Sequence, residues 1–140
     1  MERIGRAPLR VLVVDDEPDG RYLLARLLDK LDCETAECGD GPSCLELVRR
    51  LRPDLVLLDL AMPGMDGFQV LDRLEELDDG PRVVVALSGF GDKEIVARCR
   101  AAGFHSHELK PISFARLQQL VAEARPLARE PIASSGVIAL

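Results

Sequence analysis

The chain has 140 residues, 47% of them hydrophobic, and a formal net charge of −6. That length suits one domain, with enough apolar surface for one core. Acids and bases are mixed along the chain, no Lys/Arg tract occurs, Trp is absent and aromatics make up 4%, which argues against a nucleic-acid surface or a base-stacking platform. The first apolar run, Leu9 to Val14, is short and ends in Asp15, Asp16 and Glu17, unlike a signal peptide. No segment approaches the ~20 apolar residues of a membrane span, so a cytoplasmic protein with no membrane partner is expected. Four cysteines (Cys33, Cys38, Cys44, Cys99) form no C-x-x-C pair and read as small buried thiols.

In chain order, residues 1–8 are a polar lead. Leu9 to Val14 is a Val-rich strand. Pro18 can open a helix, since its missing N–H costs nothing in the first turn. Leu23, Leu24, Leu27, Leu28 and Leu31 recur at helical spacing and predict its buried face. Cys33 to Cys38 is a second strand nearer an edge. Residues 39–42 (Gly-Asp-Gly-Pro) predict a loop, and Ser43 to Leu51 a second helix with Leu45, Val48 and Leu51 inward. Leu55 to Leu58 is a continuous apolar run, as in a strand buried on both faces of a parallel sheet. Asp59 ends it, and Pro63, Gly64 and Gly67 force a turn.

A third helix carries Phe68, Val70, Leu71, Leu74 and Leu77, and residues 78–81 break it. Val83 to Leu87 is a fourth strand, followed by Ser88. Ile95, Val96, Cys99 and Ala102 give a fourth helix, which Gly103 ends. Phe104 to Leu109 is a poorer fifth strand, ending in Lys110 and Pro111. Ser113 can cap a fifth helix with Phe114, Leu117, Leu120, Val121 and Ala124 on one face. From Pro126 the pattern stops, and residues 126–140 read as a flexible tail. Five strands alternating with five helices predict a doubly wound α/β sheet over 9–125, flavodoxin-like, in the order 2-1-3-4-5.

That order places the first strand beside the third, so Asp15, Asp16 and Asp59 meet at their carboxyl ends. Ser88 and Lys110 arrive from the other side. Three carboxylates in one crevice repel each other. A hard divalent cation such as Mg²⁺ relieves that repulsion, because it takes oxygen ligands and keeps several waters. Acids, a metal and one ammonium suit a phosphoryl group, and a carboxylate can itself be the nucleophile. Asp59, the central acid, is the candidate.

These residues, in this order at strand ends, resemble the receiver domain of two-component response regulators. The resemblance covers Leu9 to Ala124. It rests on Asp15-Asp16, on Asp59 with Met-Pro-Gly-Met-Asp-Gly after Leu60-Ala61, on Ser88-Gly89 and on Lys110-Pro111. It implies that Asp59 accepts a phosphoryl group from a histidine kinase or a histidine phosphotransfer protein. It implies that Asp16, Asp59 and the Ala61 carbonyl ligate Mg²⁺, with Asp15 acting through bound water. Lys110 would pair with the phosphate, and Ser88 would move toward it with the residue at 107, remodelling the helix 4–strand 5–helix 5 face for a downstream protein. A Lys110-Pro111 bond in cis is also implied, and a monomer or weak dimer is expected.

Two positions depart from the family pattern. His107 stands where a Tyr or Phe is usual, which resembles receivers of hybrid histidine kinases, and Glu108 stands where an apolar strand residue is usual. Arg98, Arg100, Arg116 and Gln119 are candidate contacts on the remodelled face. A receiver excised from a larger hybrid kinase or multidomain regulator is the alternative reading. An aspartyl-nucleophile phosphatase is the alternative of another class; it needs a second acid two residues after the nucleophile, and position 61 is Ala. A flavin-binding flavodoxin would need a phosphate loop where three acids stand.

Overall fold

The computed structural model describes residues 7–128. Five strands, β1 (Leu9–Val14), β2 (Cys33–Cys38), β3 (Leu55–Asp59), β4 (Val83–Ser88) and β5 (Ser106–Leu109), alternate with five helices. The helices are α1 (Pro18–Asp29), α2 (Gly41–Leu51), α3 (Gly67–Glu75), α4 (Lys93–Ala102) and α5 (Phe114–Ala124). All pairings are parallel, in the order β2-β1-β3-β4-β5. This is the predicted doubly wound sheet. Leu55, Val56, Leu57 and Leu58 are fully buried, because β3 is central and has helices on both faces.

Alternation along the strands divides the core in two. Leu12, Val14, Val56, Leu58, Val84 and Ala86 pack with Cys44, Val48, Val70, Leu71 and Cys99 from α2, α3 and α4. Val11, Val13, Leu55, Leu57, Val85 and Leu87 pack with Leu24, Leu28, Leu117 and Leu120 from α1 and α5. Each fully buried Leu contributes about 2 kcal/mol by removal from water. Together the two layers hold the strand ends, and hence the site, in fixed register.

The helix stripes are narrower than the sequence implies. Leu24 and Leu28 are buried, but Leu23 is 59% exposed, because it lies one step around the helix from Leu24 and past the edge of the contact. Leu51, at the last position of α2, and Phe114, at the first of α5, are also exposed rather than inward. Residues Gly41 and Pro42 belong to α2, not to a loop: the Asp40 carboxylate caps the helix by accepting from the Ser43 N–H at 2.8 Å. Conversely, β5 starts at Ser106 rather than Phe104. The Phe104 N–H is spent on the Cys99 carbonyl, closing the end of α4 after Gly103.

Ser113 caps α5 as predicted. Residues 125–127, placed by the sequence reading at the start of the irregular pattern, form a 3-10 turn, Arg125–Leu127. Arg125 Nη2 donates to the Leu31 carbonyl at 2.7 Å and ties this turn to the end of α1. The remaining tail, and the lead up to residue 6, lie outside the described residues.

Candidate functional site

The strand register assembles the site. Val14 pairs with Leu58, so Asp15 emerges beside Asp59. Asp59 pairs with Leu87, and Ser88 with Leu109, so Ser88 and Lys110 emerge on the far side. Asp15, Asp59 and Ser88 are buried, while Asp16 is exposed at the rim. One oxygen each from Asp15, Asp16 and Asp59 lies within 4.8 Å of the others.

Lys110 reaches in between the acids. Its Nζ stands 2.9 Å from Asp15 Oδ2 and 3.3 Å from Asp59 Oδ1. Burial opposes the Lys110 charge, but the hydrogen bond to Asp15 and the charges of Asp59 and Asp15 outweigh it and hold its pKa above the ordinary lysine value. Asp59 goes the other way. Burial raises its pKa more than the Ala61 N–H and the Lys110 ammonium lower it, Asp15 adds repulsion, and the carboxyl is pushed up to about 6. The other oxygen of Asp15 accepts the Glu17 N–H at 3.0 Å, which fixes its orientation at the start of α1.

The turn after β3 brings chain back under the acid. The Ala61 N–H donates to Asp59 Oδ1 at 3.2 Å, so the backbone at Ala61 faces the carboxylate. Pro63 lies in the turn, with its carbonyl accepting from Met65, and Gly64 takes a left-handed conformation with φ 83°. Gly67 opens α3 with its N–H on the Leu60 carbonyl, and a Cβ there would lie 2.7 Å from the Asp59 carbonyl oxygen. Only glycine lets α3 start this close to the site. Asp66 forms a capping box with Gln69. Pro111 follows Lys110 through a cis peptide bond.

Ser88 is engaged on both sides. Its Oγ lies 2.8 Å from His107 Nε2 and 2.5 Å from the Phe90 carbonyl oxygen, and it accepts the Phe90 N–H at 3.2 Å. His107 is half-buried on β5.

Two residues near the site were not foreseen. Arg21, on α1, donates from Nη1 to the Asp15 carbonyl at 2.9 Å and from Nε to Glu37 at 3.0 Å. It thereby braces the end of β1 against β2. Glu108 is buried, and Arg116 grips it through two nitrogens at 2.7 and 2.9 Å, with Ser106 donating at 2.8 Å. Burial raises the Glu108 pKa, but the hydrogen bonds from Arg116 and Ser106 outweigh it and hold it below the usual value. Arg116 is therefore occupied within the fold. Arg98 lies 3.9 Å above the Phe68 ring.

Mg²⁺ holds oxygens about 2.1 Å away, so opposite ligands stand about 4.2 Å apart. Three carboxylate oxygens within 4.8 Å of one another are compatible with the size of that shell. A profile of the response regulator receiver domain matches residues 11–122. The chain belongs to the response regulator receiver family. This receiver is 32% identical over 118 residues to the sporulation initiation phosphotransferase F of Bacillus subtilis, covering 84% of the chain and 94% of that protein. It is 34% identical over 133 residues to the transcriptional regulatory protein PdtaR of Mycobacterium tuberculosis, covering 94% of the chain but only 64% of that relative. Its fold matches the crystal structure of the CheX-CheY-BeF3-Mg complex of Borrelia burgdorferi with a TM-score of 0.75 at 27% identity, over 83% of this chain and 88% of that one. Among the described residues no helix is long and apolar enough to cross a membrane.

Proposed function

We propose that this receiver accepts a phosphoryl group on Asp59 from a phosphohistidine, donated by a histidine kinase or histidine phosphotransfer protein in the cytoplasm. The observation that carries the reading is the convergence of Asp15, Asp16, Asp59 and Lys110 at the carboxyl edge of the sheet. Asp15, Asp16, Asp59 and the Ala61 carbonyl would hold Mg²⁺, which supplies charge neutralisation for the incoming phosphate.

The residues then divide the work. One Asp59 oxygen attacks phosphorus, and the bond from phosphorus to the histidine nitrogen breaks. Lys110 moves its ammonium from the Asp59 carboxylate to a phosphate oxygen, within reach of its present position. Ser88 turns its hydroxyl to a second phosphate oxygen. Ser88 and His107 then carry the change to the α4–β5–α5 face, where a downstream protein or the next phosphorelay component binds. Residues 9–125 are the unit that does this, as a monomer or weak dimer. Whether they act alone or within a longer regulator sets the output, not the chemistry at Asp59. Phosphotransfer and self-dephosphorylation are then the only reactions the domain supports. Ala61 offers no acid or base two residues after Asp59, which disfavours a phosphatase working on free substrates.

Incubation with acetyl phosphate tests this. Wild type should gain the mass of one phosphoryl group, only with Mg²⁺, and hydroxylamine should remove it. Asp59→Asn should gain nothing. An equal adduct on the Asn variant, or none on wild type, would sink the proposal.

A further inference from the structure

Ser88 has one proton and two acceptor sites, and the structure accounts for all three. The Phe90 carbonyl has no proton to give, so the 2.5 Å contact between Ser88 Oγ and Phe90 O requires the Ser88 hydroxyl to donate there. The Phe90 N–H fills one acceptor site of Ser88 at 3.2 Å. His107 Nε2, at 2.8 Å, meets the other. With the Ser88 proton already committed, His107 must be the donor, so its Nε2 carries a hydrogen whether the ring is neutral or charged.

We propose that His107 is a positioning residue that locks Ser88 in the resting receiver: its Nε2–H holds the hydroxyl oxygen so that the Ser88 proton stays on Phe90 and away from any group on Asp59. This rests on the reading of Asp59 as phospho-acceptor and adds a regulatory element to it. Releasing Ser88 means exchanging its donated bond to Phe90 for one to a phosphate oxygen. An aromatic ring without a donor would fill the same space and leave that oxygen held only by the Phe90 backbone. The histidine therefore sets how readily the domain switches, beyond packing. Phe90 belongs to the same device: its backbone supplies both partners, while its side chain is 72% exposed and contributes no packing that would hold the loop.

Beryllofluoride with Mg²⁺ mimics a phosphoryl group on a carboxylate, and its binding to the full chain, followed by NMR, measures the switch. His107→Phe keeps a ring and removes the donor. It should bind beryllofluoride about fivefold more tightly than wild type, the weight of one neutral hydrogen bond. His107→Gln keeps an N–H donor at similar reach and should stay close to wild type. In a Ser88→Ala background, His107→Phe should change nothing. No gain in His107→Phe, or an equal gain without Ser88, overturns the lock.

The imidazole nitrogen spectrum of the free wild-type protein gives a readout that needs no phosphate. It should place a hydrogen on Nε2 of His107, and a neutral ring with its hydrogen on Nδ1 overturns the proposal. If wild type fails to bind beryllofluoride at all, the Asp59 reading falls, while the imidazole spectrum still decides on His107.

Discussion

Asp59→Asn should stabilise this protein when no divalent ion is bound. Asp59 is 3% exposed, and its pKa is pushed up to about 6 from the ordinary 3.8, chiefly because burial disfavours the charge. Each pH unit of that gap corresponds to about 1.36 kcal/mol, so ionising Asp59 in the folded chain costs about 3 kcal/mol. The sign follows from proton linkage. Between pH 3.8 and 6 the folded state binds more protons at Asp59 than the unfolded state does, so stability falls as pH rises through that window. Asn imitates the protonated carboxyl and does not titrate. Lys110 keeps its 2.9 Å partner Asp15 when the Asp59 charge is removed.

The assay is urea unfolding followed by far-ultraviolet circular dichroism, in EDTA, at pH 4, 6 and 8. At pH 8 the Asn variant should be more stable by about 3 kcal/mol, a midpoint shift of more than about 1 M urea. The advantage should shrink to about 0.5 kcal/mol at pH 4, where wild-type Asp59 is protonated in the folded state but only about 40% protonated in the unfolded one. Saturating Mg²⁺ should close the pH 8 gap by stabilising wild type, about 2.7 kcal/mol at a hundred times its dissociation constant, and the variant less. An Asn variant that is less stable at pH 8 in EDTA, or whose advantage does not vary with pH, would refute the reasoning.

Three further outcomes follow from contacts already described. Glu108→Gln should destabilise the fold by about 1–3 kcal/mol, since it leaves the Arg116 guanidinium, one-third exposed, with only the more distant Glu123 carboxylate at 3.7 Å. Because the Glu108 pKa is held below 4.5, that loss should be full above pH 4.5 and fade as acid protonates wild type, and a pH-independent loss in urea titrations would count against the pairing. Lys110→Met should bind Mg²⁺ about tenfold more tightly at low salt by calorimetry, because an ammonium no longer competes for Asp15 and Asp59, while accepting phosphate from acetyl phosphate more slowly; unchanged Mg²⁺ affinity would contradict it. Gly67→Ala should cost about 1–3 kcal/mol or more, because its Cβ would lie 2.7 Å from the Asp59 carbonyl oxygen and 2.8 Å from Leu60 Cα, both backbone; a melting temperature equal to wild type would show that α3 can shift freely.

The fold was legible because its signals are redundant. The run Leu55–Leu58 reads as a strand buried on both faces, and once strands 1 and 3 are neighbours, Asp15 and Asp59 meet. What was not legible depends on pairings between distant residues. Leu23 obeys the same spacing as Leu24, and only the narrowness of the α1–sheet contact separates them. Glu108 looked like a misfit in β5, and no local pattern in the sequence points to Arg116 in the first turn of α5 as its partner. Arg21 lies outside the Leu stripe of α1, yet its length lets it reach back to the Asp15 carbonyl and Glu37. Periodicity reports which face a side chain starts from, not how far a long one can return.

The same distinction bears on how the site rests before it is loaded. Asp15, Asp16 and Asp59 with Lys110 leave an excess of negative charge, and Lys110 offsets part of it by standing between the two buried acids. That position serves two states. In the free protein the ammonium limits repulsion between Asp15 and Asp59. After transfer, on the proposed reading, the Asp59 carboxylate becomes an acyl phosphate whose oxygens lie further out, and the ammonium can follow because its side chain is 32% exposed and hangs on a flexible stem. Ser88 has no such freedom: it is buried, and its one proton and two acceptor sites are all taken. Lys110 can therefore respond to charge as soon as it appears, whereas Ser88 must first break with Phe90. On the proposed reading the costlier step lies at Ser88, so a donor at position 107 would govern the switch while leaving the chemistry at Asp59 intact.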